Sequence, residues 1–248
     1  MPFHPSSTIM WSKGISKGGK PAMRSNAYTL TFTSAVTIVL GLLVSLAATS
    51  LKDRQALNEE IDMKRNILRS LHIPEDHSRK MSEQEILDAF DQMITEVHIN
   101  REGEEDPNGD LILYEKKSGD RIEGYAFPIS GKGLWSTIYG YMALEPDGKT
   151  VKGITFYKHG ETPGLGGEIE KDWFTSNFIG KQIVDAEGHL TSIQVIKGKV
   201  DPNRKEAIHQ VDGISGATMT GKGVTAFLAR DLETYNPFFE NIRKGMHP

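Results

Sequence analysis

The longest apolar run lies near the start of the chain. Residues 28–49 are rich in Leu, Val, Ile, Ala and Thr, and they sit within a stretch, residues 25–51, that carries no charge. A helix of that length crosses about 30 Å of hydrocarbon. Ser and Thr hydroxyls in such a helix can bond back to their own backbone, which makes them inexpensive in lipid. The run therefore predicts a transmembrane helix over residues 27–50.

The helical period continues beyond the apolar run. An apolar stripe among charged residues predicts that the membrane helix extends outward and ends before Pro74; the stripe comprises Leu57, Ile61, Leu68 and Leu71. Ser82 and Glu85 then form a capping-box pattern, which predicts the start of a second amphipathic helix. The apolar face of that helix comprises Ile86, Phe90, Met93, Ile94 and Val97.

After an acidic loop at residues 102–110, the apolar period changes to that of strands. Two hairpins are predicted: residues 111–115 with 121–129, and residues 136–144 with 151–158. A short helix carrying Trp173, Phe174 and Phe178, a strand over residues 189–196 and a helix over residues 224–232 complete the pattern. Hairpins flanked by helices indicate an α+β domain with an antiparallel sheet.

Charge is distributed unequally about the apolar run. Residues 1–26 carry four basic residues and no acidic ones, whereas the whole 248-residue chain has a net charge of −4. The basic residues are Lys13, Lys17, Lys20 and Arg24. Basic flanks stay in the cytoplasm, so residues 1–26 are predicted to be cytoplasmic and residues 51–248 to lie on the opposite side of the membrane. A cleaved signal peptide, with small residues at 45–48, is the alternative; the length of the run favours an uncleaved anchor.

Composition excludes several classes of chemistry. The chain has no cysteine, so it has no disulfide, no thiolate metal site, no cysteine-ligated iron–sulfur cluster and no cysteine nucleophile. Redox chemistry would then use an organic cofactor or a metal held by His and carboxylates. His159 has no second His at ligand spacing, so no metal site is predicted. The mild negative charge argues against a nucleic-acid partner.

Three glycine-rich segments are the candidates for chemistry: residues 130–136, 159–167 and 212–220. Taken alone, each is typical of a turn. The third precedes a predicted helix and resembles a phosphate-binding loop. Gly223 replaces the magnesium-binding Ser or Thr, however, and the chain that follows is too short for a nucleotide hydrolase. Small residues at a helix start still favour a phosphate. Alternatively, Ser215 or Thr218 caps the helix.

The third segment carries a family resemblance. Asp212, Ser215, Gly216, Ala217 and Thr218 resemble the flavinylation motif of bacterial FMN-binding domains, whose last threonine bears FMN through a phosphoester. With the anchor and the other two glycine-rich segments, the chain resembles the C subunit of the sodium-translocating NADH:quinone oxidoreductase. The G subunit of the Rnf electron-transport complex, similar in anchor and threonine motif, is an alternative. A membrane-anchored scaffold domain without flavin is another.

The resemblance implies a covalent FMN on Thr218, placed there by a separate flavin transferase, within an FMN-binding part at residues 110–235 that follows a helical part at residues 51–100. The implied cofactor-binding residues are Thr218, Ser215, Gly216, Ala217, Thr220, Trp135, Glu161, Thr162, Leu165 and Gly166. No residue is assigned a catalytic role, because the protein is expected to carry single electrons within a pump that couples NADH oxidation by quinone to sodium export. Its partners would be the other subunits, the transferase and membrane lipid. Residues 164–167 lack the context of a dinucleotide fingerprint.

Overall fold

The computed structural model describes residues 26–73, 81–119 and 121–246. The predicted basic N-terminal segment, except for its last residue, and Pro74 lie outside the described residues. The chain divides into two compact units, residues 1–53 and 54–248. The helices are α1 (Asn26–Ser70), α2 (Glu83–Met93), α3 (Asp172–Thr175) and α4 (Thr218–Arg243). The strands are β1 (Ile94–Ile99), β2 (Leu111–Ser118), β3 (Arg121–Lys132), β4 (Thr137–Leu144), β5 (Val151–Lys158), β6 (Gln194–Val195) and β7 (Gln210–Val211). Short 3₁₀ helices cover Gly166–Glu170, Ser176–Phe178 and Lys205–His209.

In the first unit, the described residues form the apolar half of α1. Among the described residues, α1 is the one helix long and apolar enough to cross a membrane. Its hydroxyl groups bond back to the helix as expected: Thr31 Oγ1 donates to the Ala27 carbonyl at 2.9 Å, and Thr49 Oγ1 to the Ser45 carbonyl at 2.9 Å. The helix continues to Ser70, which confirms the predicted outward extension.

In the second unit, β1 to β5 form an antiparallel sheet in sequential order. Both predicted hairpins are confirmed, as β2 with β3 and β4 with β5. Alternate side chains point to opposite faces of a strand, and both faces are covered here. Phe127 and Ile129 of β3 belong to the core that packs against α4, whereas Ala126 packs with α2 and the last turns of α1. The chain is thus an α+β protein with an antiparallel sheet and flanking helices.

Glycines allow α4 to lie close to β3. A Cβ added at Gly131 would overlap the Phe227 side chain of α4, and one added at Gly223 would overlap the Lys132 carbonyl oxygen. The first glycine-rich segment, residues 130–136, is therefore not only a turn. Its residues Gly131 and Lys132 are the last residues of β3. The close approach brings the first turn of α4 to the end of β3, beside the loop that follows it.

The bounds of three elements differ most from the predicted ones, and β2 and β3 each end three residues later than expected. The second helix ends at Met93, and Ile94 and Val97 lie on β1; the alternation of polar and apolar residues from 96 to 99 and the β-branched residues of this segment favour a strand there. The strand predicted over residues 189–196 is reduced to β6, because Ser192 adopts a positive φ of 66°, which an extended strand does not accommodate. The last helix extends from Thr218 to Arg243 through Pro237, since Phe238 and Phe239 are buried beyond it.

Candidate functional site

The start of α4 leaves its backbone donors without a side-chain cap. Ala217 is the N-cap residue, and within the part of the chain that the structure describes no side chain caps this helix end. Gly216 precedes it with a φ of +74°, a conformation that glycine adopts at no steric cost. The first N–H groups of a helix have no partner within the helix. The alternative in which Ser215 or Thr218 caps the helix is therefore wrong, and the uncapped end can accept an anion.

The two threonines of the first turn have opposite environments. Thr218 is exposed, whereas Thr220 is only 1% exposed. The Thr220 hydroxyl donates to Glu161 Oε2 at 2.6 Å. Only the Thr218 hydroxyl is therefore accessible to another molecule.

A cavity of about 580 Å³ opens beside Thr218. We call it the motif cavity, because residues 212–218 form one of its walls; small-molecule sites in proteins measure about 300–1,000 Å³. The other lining residues are Trp173, Asn177, Val195, Ile196, Lys197, Gly198, Lys199, Gly221 and Lys222. Three lysines face one carboxylate, that of Asp212, so the charge of the lining favours an anionic ligand.

The lysine-bearing loop, residues 196–200, is fastened to the motif by its backbone. The Val200 N–H donates to Asp212 Oδ1 at 2.8 Å, and the Gly213 N–H donates to the Gly198 carbonyl at 2.8 Å. The side chain of Asp212, the aspartate of the motif, thus stabilises the loop. It holds Lys197 and Lys199 at the cavity wall.

Glu161 connects the three glycine-rich segments. Its carboxylate accepts hydrogen bonds from the N–H groups of Leu134 (3.1 Å), Trp135 (2.9 Å) and Ser136 (3.3 Å), as well as from the Thr220 hydroxyl. We call these five residues the Glu161 clip. Burial of the carboxyl raises its pKa, but the hydrogen bonds from Thr220 and from the three backbone N–H groups outweigh that effect and lower the pKa. The carboxylate is therefore ionised at neutral pH.

Apolar side chains remain exposed on the clip and beside it. Trp135 is 69% exposed and Leu165 is 42% exposed. A Cβ added at Gly216 would lie 2.8 Å from Leu165 Cδ2, so Leu165 lies against the motif. The Thr162 carbonyl accepts the N–H groups of Leu165 and Gly167 at 3.1 and 2.9 Å and thereby shapes this loop.

The structure thus divides the residues implied by the resemblance into three groups, of which the first comprises the exposed residues Trp135, Thr162 and Leu165. Ser215, Gly216, Ala217 and Thr218 line the motif cavity. The side chains of Glu161 and Thr220 are buried and bonded to each other. Gly166 lies between them, because a Cβ there would come 2.6 Å from Thr220 Oγ1 and 2.9 Å from Glu161 Oε2.

Sequence reasoning missed the part of the cavity lining that lies outside the motif. Trp173, Asn177, Lys197, Lys199 and Lys222 belong to it and were not among the expected site residues. Lys222 could have been found, because it lies four positions after Thr218 and so on the same helix face. The other four lie in α3, in the 3₁₀ helix after it and in the loop after β6, and the approach of these segments to the motif depends on tertiary structure.

Comparisons with known proteins agree with the fold and with the family resemblance. A profile for the FMN-binding domain matches residues 133–233, which include all three parts of the Glu161 clip and the motif. Curated relatives named as the C subunit of Na(+)-translocating NADH-quinone reductase include one from Pseudomonas aeruginosa, 35% identical over 89% of this chain and 97% of its own length. Another, from Vibrio anguillarum, is 34% identical over 88% of this chain and 95% of its own.

Solved structures agree as well. The crystal structure of the C subunit of Na(+)-translocating NADH-quinone reductase from Parabacteroides distasonis is 31% identical, with a TM-score of 0.65, over 76% of this chain and 96% of that one. NqrC from Shewanella oneidensis is 28% identical, with a TM-score of 0.63, over 74% of this chain and 97% of that one. The fold and the site define an FMN-binding domain. The chain belongs to the family of the C subunit of the Na(+)-translocating NADH-quinone reductase, which confirms the predicted family.

Proposed function

We propose that this protein carries FMN on Thr218, through a phosphoester bond, and passes single electrons within a sodium-exporting NADH:quinone reductase. The observation that carries the proposal is the contrast at the start of α4. Thr218 is exposed at the motif cavity of about 580 Å³, whereas Thr220 is buried and bonded to Glu161. A covalent group therefore has one accessible hydroxyl on this turn.

The residues present fit FMN. The uncapped first turn of α4 offers N–H groups to the phosphate, and Lys197, Lys199 and Lys222 supply positive charge. A helix end contributes only about 0.3–1 kcal/mol per charge, which is too little to retain a mobile cofactor. A covalent bond would retain it. Ser215, Gly216 and Ala217 would line the phosphate end of the site.

The other end of FMN is a flat, largely apolar ring. We assign the ring to the surface that carries the exposed side chains of Trp135 and Leu165, with Thr162 and Gly166 on the same loop as Leu165. When bound, FMN supplies the capacity to accept and release electrons. The chain supplies the position of the ring and a covalent bond that prevents its loss.

Attachment requires a second protein. A threonine hydroxyl is a weak nucleophile without an added base or metal, and a separate flavin transferase acting on FAD would provide that activation. Thr218 Oγ1 would form its bond to the FMN phosphorus as the pyrophosphate P–O bond of FAD breaks. AMP would leave, and the hydroxyl proton would pass to the base of the transferase.

The remaining functions belong to partner subunits. Residues 25–51 contain no Asp, Glu, Lys, Arg or His, so this chain offers no charged group for a sodium path across the membrane. Sodium export, NADH oxidation and quinone reduction are therefore assigned to the other subunits. We place the chain in the bacterial inner membrane, in contact with lipid, with residues 1–26 cytoplasmic, 27–50 spanning and 51–248 periplasmic.

Substitution of the two threonines tests the attachment site. In a host with a flavin transferase, Thr218→Ala should abolish flavin fluorescence of the denatured chain, and the intact mass should lack one FMN. Thr220→Ala should retain both signals, because its hydroxyl is buried at Glu161. Folding should persist in Thr218→Ala, since the Thr218 hydroxyl does not cap the helix. Covalent flavin retained in Thr218→Ala, or lost only in Thr220→Ala, would refute the assignment.

A further inference from the structure

The Glu161 clip has the properties of a positioning device rather than of a ligand site. Glu161 is only 5% exposed, and both carboxylate oxygens accept hydrogen bonds from the protein. An ionised carboxylate is an acceptor only. It has no donor for a flavin carbonyl or ring nitrogen, and its oxygens accept hydrogen bonds from groups of the protein itself.

The clip joins elements that are far apart in the chain. Leu134, Trp135 and Ser136 follow β3, Glu161 follows β5, and Thr220 lies in the first turn of α4. Three successive N–H groups and one hydroxyl converge on one side chain. Hydrogen bonds to an ionised acceptor are shorter and about twice as strong as those between neutral groups.

Two glycines make room for this carboxylate. A Cβ added at Gly133 would lie 2.6 Å from Glu161 Oε1, and one added at Gly166 would lie 2.9 Å from Glu161 Oε2. The Glu161 backbone is held too, because its N–H donates to His159 Nδ1 at 3.3 Å. The glycine-rich composition of the first two segments is thus explained by close packing around one buried charge.

We propose that Glu161, acting through the clip, is the positioning residue of the flavin site. It holds the loop that carries Trp135 and the loop that carries Leu165 against the turn that carries Thr218, before flavin is attached. It also occupies the Thr220 hydroxyl and so leaves Thr218 as the accessible acceptor. The proposal rests on the proposed function for its flavin readout, but the clip itself can be measured without flavin.

Amide hydrogen exchange of the full-length chain, made in a host without a flavin transferase, measures the clip directly. Thr220→Val removes one hydrogen bond while keeping the charge of Glu161 and the size of the side chain. Glu161→Gln removes the charge. Glu161→Gln should accelerate exchange at the N–H groups of residues 134–136 by roughly tenfold or more, given the strength of hydrogen bonds to charged groups. Thr220→Val should give a smaller acceleration.

Two control variants accompany these measurements. Thr220→Ser keeps the hydroxyl and should restore the protection of residues 134–136. Thr234→Val makes the same chemical change at an exposed position of α4, where the hydroxyl bonds to the Arg230 carbonyl of its own helix, and it should have no effect. Unchanged exchange at residues 134–136 in Glu161→Gln would overturn the proposal.

The flavin readout separates positioning from simple stabilisation. In flavinylated protein, Thr220→Val should shift the visible absorption band and the midpoint potential of the flavin, and Thr220→Ser should restore both. Faster exchange without any change of spectrum or potential would show that the clip does not act on the ring, and would also overturn the proposal. Failure of the Thr218 assignment is recognised separately, by flavin that survives Thr218→Ala.

Discussion

At the scale of single residues, the site depends on burial more than on residue type. Thr218 and Thr220 are two positions apart and chemically identical, yet one is exposed and the other donates to a buried carboxylate. The resemblance of the motif singled out Thr218, and the exposure of its hydroxyl now gives that choice a physical reason. The sequence alone could not supply it, because the acceptor of the Thr220 hydroxyl lies 59 positions away.

Glu161 shows where sequence reasoning ends. The resemblance implied that it contacts the cofactor, whereas three of its four hydrogen bonds come from backbone N–H groups. Every non-proline residue has an N–H group, so such partners leave no trace in the residue types. The glycines at positions 133 and 166 were visible, but their role as space for a carboxylate requires the folded structure.

The lowered pKa of Glu161 gives a prediction for stability against pH. A carboxyl whose pKa is lower in the folded than in the unfolded chain stabilises the fold above the unfolded value, about 4.3. That contribution disappears as the pH falls through the folded pKa. Glu161→Gln should therefore lower the free energy of unfolding by about 1.5–3 kcal/mol at neutral pH.

The difference between wild type and Glu161→Gln should shrink on acidification. Urea unfolding at neutral pH and at several values below the ordinary glutamate pKa measures it. Other carboxyls, such as those of Glu170 and Asp185, also have lowered pKa values, so only the difference between the two proteins is informative. A difference that stays constant over this range would contradict the role of the ionised carboxylate.

At the scale of secondary-structure elements, the periodicity of the sequence predicted those helices and strands that depend on the local residue pattern. Residue spacing alone predicted both hairpins and the long α1. It also predicted the capping box of α2, in which Ser82 and Glu85 are bonded reciprocally. The elements that differed are those decided by tertiary contacts. β6 pairs with β7 over two residues, too short for any pattern. α4 passes through Pro237 because Phe238 and Phe239 complete the core.

The approach of α4 to β3 gives a prediction at this scale. Gly223→Ala adds a Cβ that would overlap the Lys132 carbonyl oxygen. The backbone of β3, the central strand of the sheet, cannot shift without disturbing its neighbours. Overpacking of this kind costs about 1–3 kcal/mol, more than the roughly 1 kcal/mol that alanine gains over glycine in a helix. Gly223→Ala should therefore lower the midpoint of chemical unfolding.

Gly221→Ala is the matched control for Gly223→Ala. It makes the same change in the same helix, but its Cβ would lie 3.0 Å from a methyl group of Val195, a side chain that can adjust. The two variants share the gain in helix propensity, so the difference between their unfolding midpoints isolates the contact with Lys132. Equal midpoints would mean that the close approach does not constrain α4.

At the scale of the whole molecule, the charge distribution and the length of the apolar run predict the orientation of the chain in the membrane. The four basic residues before residue 27 contrast with the net charge of −4 of the entire chain. Those basic residues and the charge-free run were visible from composition and position. The family assignment adds that partner subunits exist, but it leaves the side of the membrane to be measured.

The orientation can be measured because the chain lacks cysteine, so that a single introduced cysteine is a specific label site. Ala186→Cys lies at an exposed position of the second unit, and Ser7→Cys lies in the basic segment. Basic flanks resist translocation, so a membrane-impermeant maleimide should label Ala186→Cys in intact spheroplasts. Ser7→Cys should be labelled only after the membrane is disrupted. The reverse pattern would place the flavin site in the cytoplasm, and equal labelling of Ser7→Cys in intact and disrupted spheroplasts would exclude a cytoplasmic N-terminus.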